Sequence, residues 1–263
     1  MQSGRRSRFR VEAWCECGVQ VADEFLRRRP VDARIGDGDA VAKFLLRLRE
    51  GLVSGLEITL KHRAHDRRVA RGNLGEQLAH DVWLTLGLER PVVMGCSMGG
   101  AIVLKIAAEF QDALTGIVGL ESSAYAPGRY NELLHHPAIH GGELCASYTY
   151  GLNSPLSPEA SRRENWWYYS QSGPGVYQGD VHFYSIDWDA RQDVKRIDTN
   201  RCKVALLTGE YDYSCTPAMS EAVAAEIPGS RLTIMKGMGH FPMIENYPAF
   251  RPHLLAALDH VAG

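Results

Sequence analysis

The sequence predicts an α/β protein, a mostly parallel sheet with helices on both faces and an inserted cap. Three observations lead there. Short apolar runs of strand length recur through the C-terminal two thirds, longer apolar or amphipathic stretches separate them, and a glycine-flanked serine marks one strand-to-helix change. Strands and helices that alternate in this way form parallel pairs joined by right-handed crossovers, and ligands gather at the strands' carboxyl ends.

Taken in order, the elements begin late. Residues 1–66 carry clustered arginines and modest apolar runs such as residues 52–60, without strand periodicity, and are set apart as an N-terminal segment of uncertain structure. Beyond them, Leu74, Leu78, Val82 and Leu86 recur at helical spacing, with Gly87 as the stop. Pro91-Val92-Val93-Met94 reads as a buried strand ending at Gly95, followed by a tight turn and a buried helix over residues 101–108, apolar except for Lys105. Residues 115–120 and 204–208 read as further buried strands. Thr216-Pro217 supplies an N-cap with proline at the first helical position, the helix runs to Ile227 before a Pro-Gly stop, and residues 231–235 return as a strand.

Between Tyr125 and Asn200 the rhythm breaks into Gly, Pro and Ser with many aromatics: Trp166, Trp167, Tyr168, Tyr169, Tyr177, Phe183, Tyr184 and Trp188. Residues 125–200 are therefore assigned as a cap inserted into a core of residues 67–124 and 201–263. Aromatics so concentrated suggest a pocket for an apolar substrate, or else simply pack the cap.

Composition narrows the function. Lys and Arg total 29 against 31 Asp and Glu, which points to neither nucleic acid nor an anionic membrane as partner. No apolar stretch approaches the ~20 residues of a membrane span. Acids interrupt the stretch after the basic N-terminus, so no secretory signal is read there. The six cysteines are scattered, without Cys-x-x-Cys pairing, as free thiols in a reducing compartment would be. The expectation is a soluble, cytoplasmic protein acting on a small molecule, its oligomeric state unassigned.

The chemistry centres on Gly95-Cys96-Ser97-Met98-Gly99-Gly100. Gly-x-Ser-x-Gly alone is a weak pattern, whose bland reading is an ordinary turn. Here an apolar strand precedes it and a buried helix follows, the context in which glycines permit the sharp turn that exposes a nucleophilic serine. A serine hydroxyl needs a base, and histidine has the suitable intrinsic pKa. Of ten histidines, His240 is the best placed, in the glycine-rich loop Gly237-Met238-Gly239-His240-Phe241-Pro242 directly after a predicted strand. His135, His136, His140 and His182 read as ordinary cap residues. The third member should be a carboxylate that holds the imidazole tautomer. Gly209-Glu210-Tyr211-Asp212 offers two, and Asp212 is preferred because the loop has by then cleared the strand end.

These three motifs resemble those of the α/β-hydrolase superfamily, its serine-nucleophile, capped, esterase- and lactonase-like members in particular, over residues 67–263. The resemblance implies Ser97 as nucleophile, Asp212 as acid, His240 as base, and the Met98 backbone N–H as one oxyanion donor. Family members usually carry a His-Gly dipeptide before the elbow that supplies the second donor. The only His-Gly here is His140-Gly141, so that donor is unassigned. The implied reaction is hydrolysis of a carboxylic ester or lactone through an acyl-enzyme on Ser97. Hydrolysis of a carbon–carbon bond by the same triad, or a non-catalytic binding protein with a degenerate oxyanion hole, are the alternatives. No cofactor or metal is expected: His136 and His140 flank Pro137 where a zinc-protease motif needs glutamate, and no phosphate-binding glycine loop occurs.

Overall fold

A computed structural model describes residues 19–22, 80, 83–84, 86–130, 141–171 and 176–263. The sheet has the order β1-β2-β3-β4-β5. Strands β2 (Val92–Cys96), β3 (Gly116–Leu120), β4 (Lys203–Gly209) and β5 (Arg231–Met235) run parallel, and β1 (Val19–Ala22) pairs antiparallel with β2. The register brings Cys96 beside Leu120, Leu120 beside Leu207, and Gly209 beside Met235, so the carboxyl ends of all the parallel strands open at one edge. Residues 1–66, set apart as a segment of uncertain structure, contribute β1; the run at residues 52–60 lies outside the described residues.

β2, β3 and β4 are short and mostly buried, as β-branched and leucine runs covered on both faces should be, while the edge strand β5 is buried only at Met235. Alternate side chains feed two cores. Val93, Ile117, Val204 and Leu206 pack with helix α1 (Met98–Phe110), while Val118, Leu120, Ala205 and Leu207 pack with the C-terminal helix. That expected alternation of strand and helix also sets α5 (Pro217–Glu226) on the α1 side, through Val223. Its cap follows the sequence reading: Thr216 Oγ1 accepts from Met219 N at 3.3 Å, with Pro217 in the first turn. Of the helix expected over residues 74–86, His80, Trp83 and Leu84 are helical, and most of the rest lies outside the described residues.

Between β3 and β4 the described residues form three α-helices, α2 (Gly141–Leu152), α3 (Glu159–Ser170) and α4 (Val176–His182). After β5 come the short α6 (Pro242–Glu245) and the long α7 (Tyr247–Ala262), whose Phe250, Leu254, Ala257, Leu258 and Val261 cover the second face.

Candidate active site

Ser97 joins β2 to α1 at φ 57°, ψ −118°, a backbone region that costs a side-chain-bearing residue about 1–3 kcal/mol and persists only where its surroundings impose it. They do so here. Ser97 N donates to Leu120 O of β3, and Ala101 N donates to Ser97 O, both at 2.9 Å. The flanking glycines let α1 press against the strand it leaves. A Cβ on Gly95 would collide with the Gly99 carbonyl, and one on Gly100 with Ser122 Oγ and the Leu120 carbonyl. Met98 opens α1, so its N–H has no intrahelical acceptor and lies at the positive end of the helix dipole.

His240 lies in the loop between β5 and α6, and Asp212 in the loop after β4, so the register of the sheet brings both to the edge that carries Ser97. Their side chains are buried, and His240 Nδ1 and Asp212 Oδ2 are 2.8 Å apart. Asp212 Oδ1 accepts from Ser214 N at 2.7 Å and Cys215 N at 3.0 Å. Burial opposes charge on Asp212, but His240 and these donors outweigh it and hold the carboxyl below the usual carboxylate range. An ionised Asp212 makes Nδ1 the protonated nitrogen of a neutral imidazole and leaves Nε2 as the basic one. The hydrogen bonds of the described residues tie His240 to Asp212 and not to Ser97; in ligand-free sites the bond between nucleophile and base is often long and tightens with substrate.

The two loop acids differ in burial and partners. Glu210 is exposed and spent on Lys236 Nζ at 2.8 Å and Gly237 N at 3.1 Å, whereas Asp212 faces His240. Cys96, beside Ser97, has its thiol pushed up, away from thiolate, by burial and then by the nearby Glu121 and Asp212. His182 sits near Asp187 and edge-on to Tyr130, apart from the site, and His135, His136 and His140 lie outside the described residues.

The aromatic segment divides between the two roles open to it: Trp166 and Trp167 line a cavity with Tyr150, Glu159 and Arg163, and other rings pack inward. Trp166, Trp167 and Tyr168 are about half exposed, while Tyr184 and Trp188 belong to the α1-side core. The cause is the phase of α3: Asn165 and Tyr169, four residues apart, turn inward, and the three rings between them turn out. Tyr169 packs its ring 5.2 Å from Phe241, which is edge-on to His240 at 4.8 Å.

Two further acids reach this site without having been singled out by the sequence. Glu121 follows β3 directly, fully buried at φ 49°, and both its oxygens accept from Gly209 N, at 3.1 and 2.9 Å. Glu245, also fully buried, accepts from Gly239 N and Phe241 N on either side of His240, and from Ser154 N and Ser157 Oγ in the segment between α2 and α3. A charged residue ending a wholly apolar strand was the available signal for Glu121. Potential ligand atoms of Glu121, Asp212 and His240 fall within 4.8 Å of one another, which is metal-site spacing. Two of those side chains are already engaged with each other at 2.8 Å, and the group is better satisfied as a hydrogen-bonded relay than as a cation site.

Residues 22–257 match the model of the alpha/beta hydrolase family. The chain belongs to the α/β-hydrolase family. Solved hydrolases share its fold at low identity. An esterase from Thermogutta terrifontis superposes with a TM-score of 0.60 at 19% identity, over 72% of this chain and 73% of its own. The enol-lactonase from Burkholderia xenovorans LB400 gives 0.61 at 19%, over 74% and 76%, and a bromoperoxidase from Bacillus anthracis gives 0.61 at 17%, over 70% and 72%. Among the described residues no helix of this hydrolase is long and apolar enough to cross a membrane.

Proposed function

We propose that this hydrolase cleaves carboxylic esters or lactones through an acyl-enzyme on Ser97. The observation that carries the reading is the buried His240–Asp212 pair at 2.8 Å, brought to the same sheet edge as a serine held at φ 57°. Asp212 fixes the imidazole with Nε2 free, and Nε2 takes the Ser97 proton as Oγ attacks the carbonyl. The oxyanion that forms is met by the Met98 N–H at the start of α1. His240 then protonates the leaving oxygen, and water activated by the same base releases the acid.

In this reading residues 125–200 form the cap over a core of residues 67–124 and 201–263, the substrate is a small neutral molecule, and the enzyme works in the cytoplasm, in keeping with the free thiols Cys96, Cys145, Cys202 and Cys215. An esterase and an enol-lactonase of like fold are in keeping with ester chemistry on this scaffold. Turnover of short acyl esters and small lactones tests it. Wild type is expected to hydrolyse at least one class, with Ser97→Ala lowering kcat by about 10³-fold or more. Turnover of a vinylogous diketone alone, or hydrolysis unaffected by Ser97→Ala, would overturn it.

A further inference from the structure

The acid that closes β3 has no role in the reaction just proposed, yet it lies against the group that orients the base. Glu121 is wholly shielded from solvent, as is the Asp212 side chain, and carboxylate oxygens of the two lie within 4.8 Å of each other. They are unequally served. Asp212 is met by His240 Nδ1 and by the N–H groups of Ser214 and Cys215, whereas Glu121 has one backbone donor, Gly209 N, shared between its two oxygens. Two carboxylates in contact and away from water do not both ionise; the pair shares a proton, which settles on the member with fewer donors.

We propose that Glu121 is a positioning residue that carries this proton and donates it in a hydrogen bond to Asp212, holding the Asp212 carboxylate in place on His240. The relay then runs from the Glu121 hydroxyl to Asp212 and, from the other side, from His240 Nδ1–H to Asp212, with a single negative charge on the carboxyl pair. Geometry favours the arrangement: with one oxygen protonated, the other Glu121 oxygen keeps Gly209 N as its donor at 2.9 Å. Burial first, then the charge of Asp212 and the bond to it, push the Glu121 carboxyl well above its ordinary range. The other titratable groups facing it are His240, Cys215 in the loop after Asp212, and Cys96 at the end of β2. Both thiols are themselves pushed up by burial, so neither puts a charge on the pair at neutral pH.

This inference rests on the serine-hydrolase reading for its kinetic consequence, but not for the proton itself, and the two are tested separately. Glutamine has the shape and donor pattern of a protonated glutamate: its amide N–H₂ can face Asp212 while its oxygen accepts from Gly209 N. Infrared difference spectra of wild type minus Glu121→Gln at neutral pH are expected to show the carbonyl stretch of a buried protonated carboxyl; its absence would overturn the proposal. Fluorophosphonate labelling of Ser97 is then followed against pH. Glu121→Gln is expected to react within about threefold of wild type, and Glu121→Leu about tenfold more slowly, a fraction of the ~10²–10⁴ that a working base contributes. Wild type is expected to lose reactivity at alkaline pH as Glu121 ionises beside Asp212, and Glu121→Gln to lack that decline. Glu121→Gln as slow as Glu121→Leu, or an alkaline limb unchanged by the amide, would overturn the role. A folded wild type inert to the probe would refute the hydrolase reading instead, while the infrared band still decides where the proton lies.

Discussion

Asp212 and Ser97 stand in opposite relations to the stability of the fold. Asp212 is ionised in a buried site because His240 and two backbone donors hold it so. Replacing it with asparagine keeps the shape but presents an amide to His240 Nδ1, which favours the wrong tautomer; kcat is expected to fall by about 10³–10⁴-fold in steady-state assays. The same carboxyl lies below its ordinary value of 3.8, so its contribution to stability is present above that pH and is lost as pH falls through its folded value. Denaturation across pH is therefore expected to show an acid limb that Asp212→Asn flattens. Ser97 trades in the opposite direction. Its backbone lies where glycine is at ease, so Ser97→Gly is expected to raise stability by about 1 kcal/mol in chemical denaturation while abolishing turnover.

At the scale of elements, Glu245 binds together parts that are distant in sequence. Its four hydrogen bonds fasten the loop on either side of His240 to residues 154–157, and His240 N itself donates to Leu152 O at 3.0 Å. Glu245→Ala leaves these buried donors unmet. It is expected to cost about 3 kcal/mol in denaturant unfolding and to lower kcat more than it raises KM, because the base loses its seat rather than the substrate its pocket. How far elements could be read beforehand follows from the same contrast between local and distant causes. β2 to β4 are largely apolar runs buried on both faces, and the Thr216-Pro217 cap is a local hydrogen bond, so both are visible in short windows of sequence. The outward turn of Trp166, Trp167 and Tyr168 depends on which face of α3 meets the core, a tertiary fact that composition does not carry. Glu121 and Glu245 were silent for a related reason: their importance lies in donors 88 and 91 residues away.

On the scale of the whole molecule, the sheet is what converts scattered motifs into one site. The parallel register aligns the ends of β2, β3, β4 and β5, and from these ends come Ser97, Glu121, Asp212 and His240 in chain order. Two cores, one around α1 and one around α7, fix that register by burying alternate strand residues on opposite faces, so a slip of one residue would exchange the two sets and misalign the site. Ser97, Asp212 and His240 could be singled out as candidates because each follows a strand that was itself recognisable. The second oxyanion donor was not, since no His-Gly precedes the elbow. The central claim is that Ser97 is an activated nucleophile, and the most direct measurement is fluorophosphonate labelling followed by peptide mapping, with circular dichroism to show that each variant is folded. An adduct on Ser97, lost in Ser97→Ala and strongly slowed in His240→Ala, is expected. An adduct on another residue, or none on the folded wild type, would contradict the reading of this fold as a working serine hydrolase.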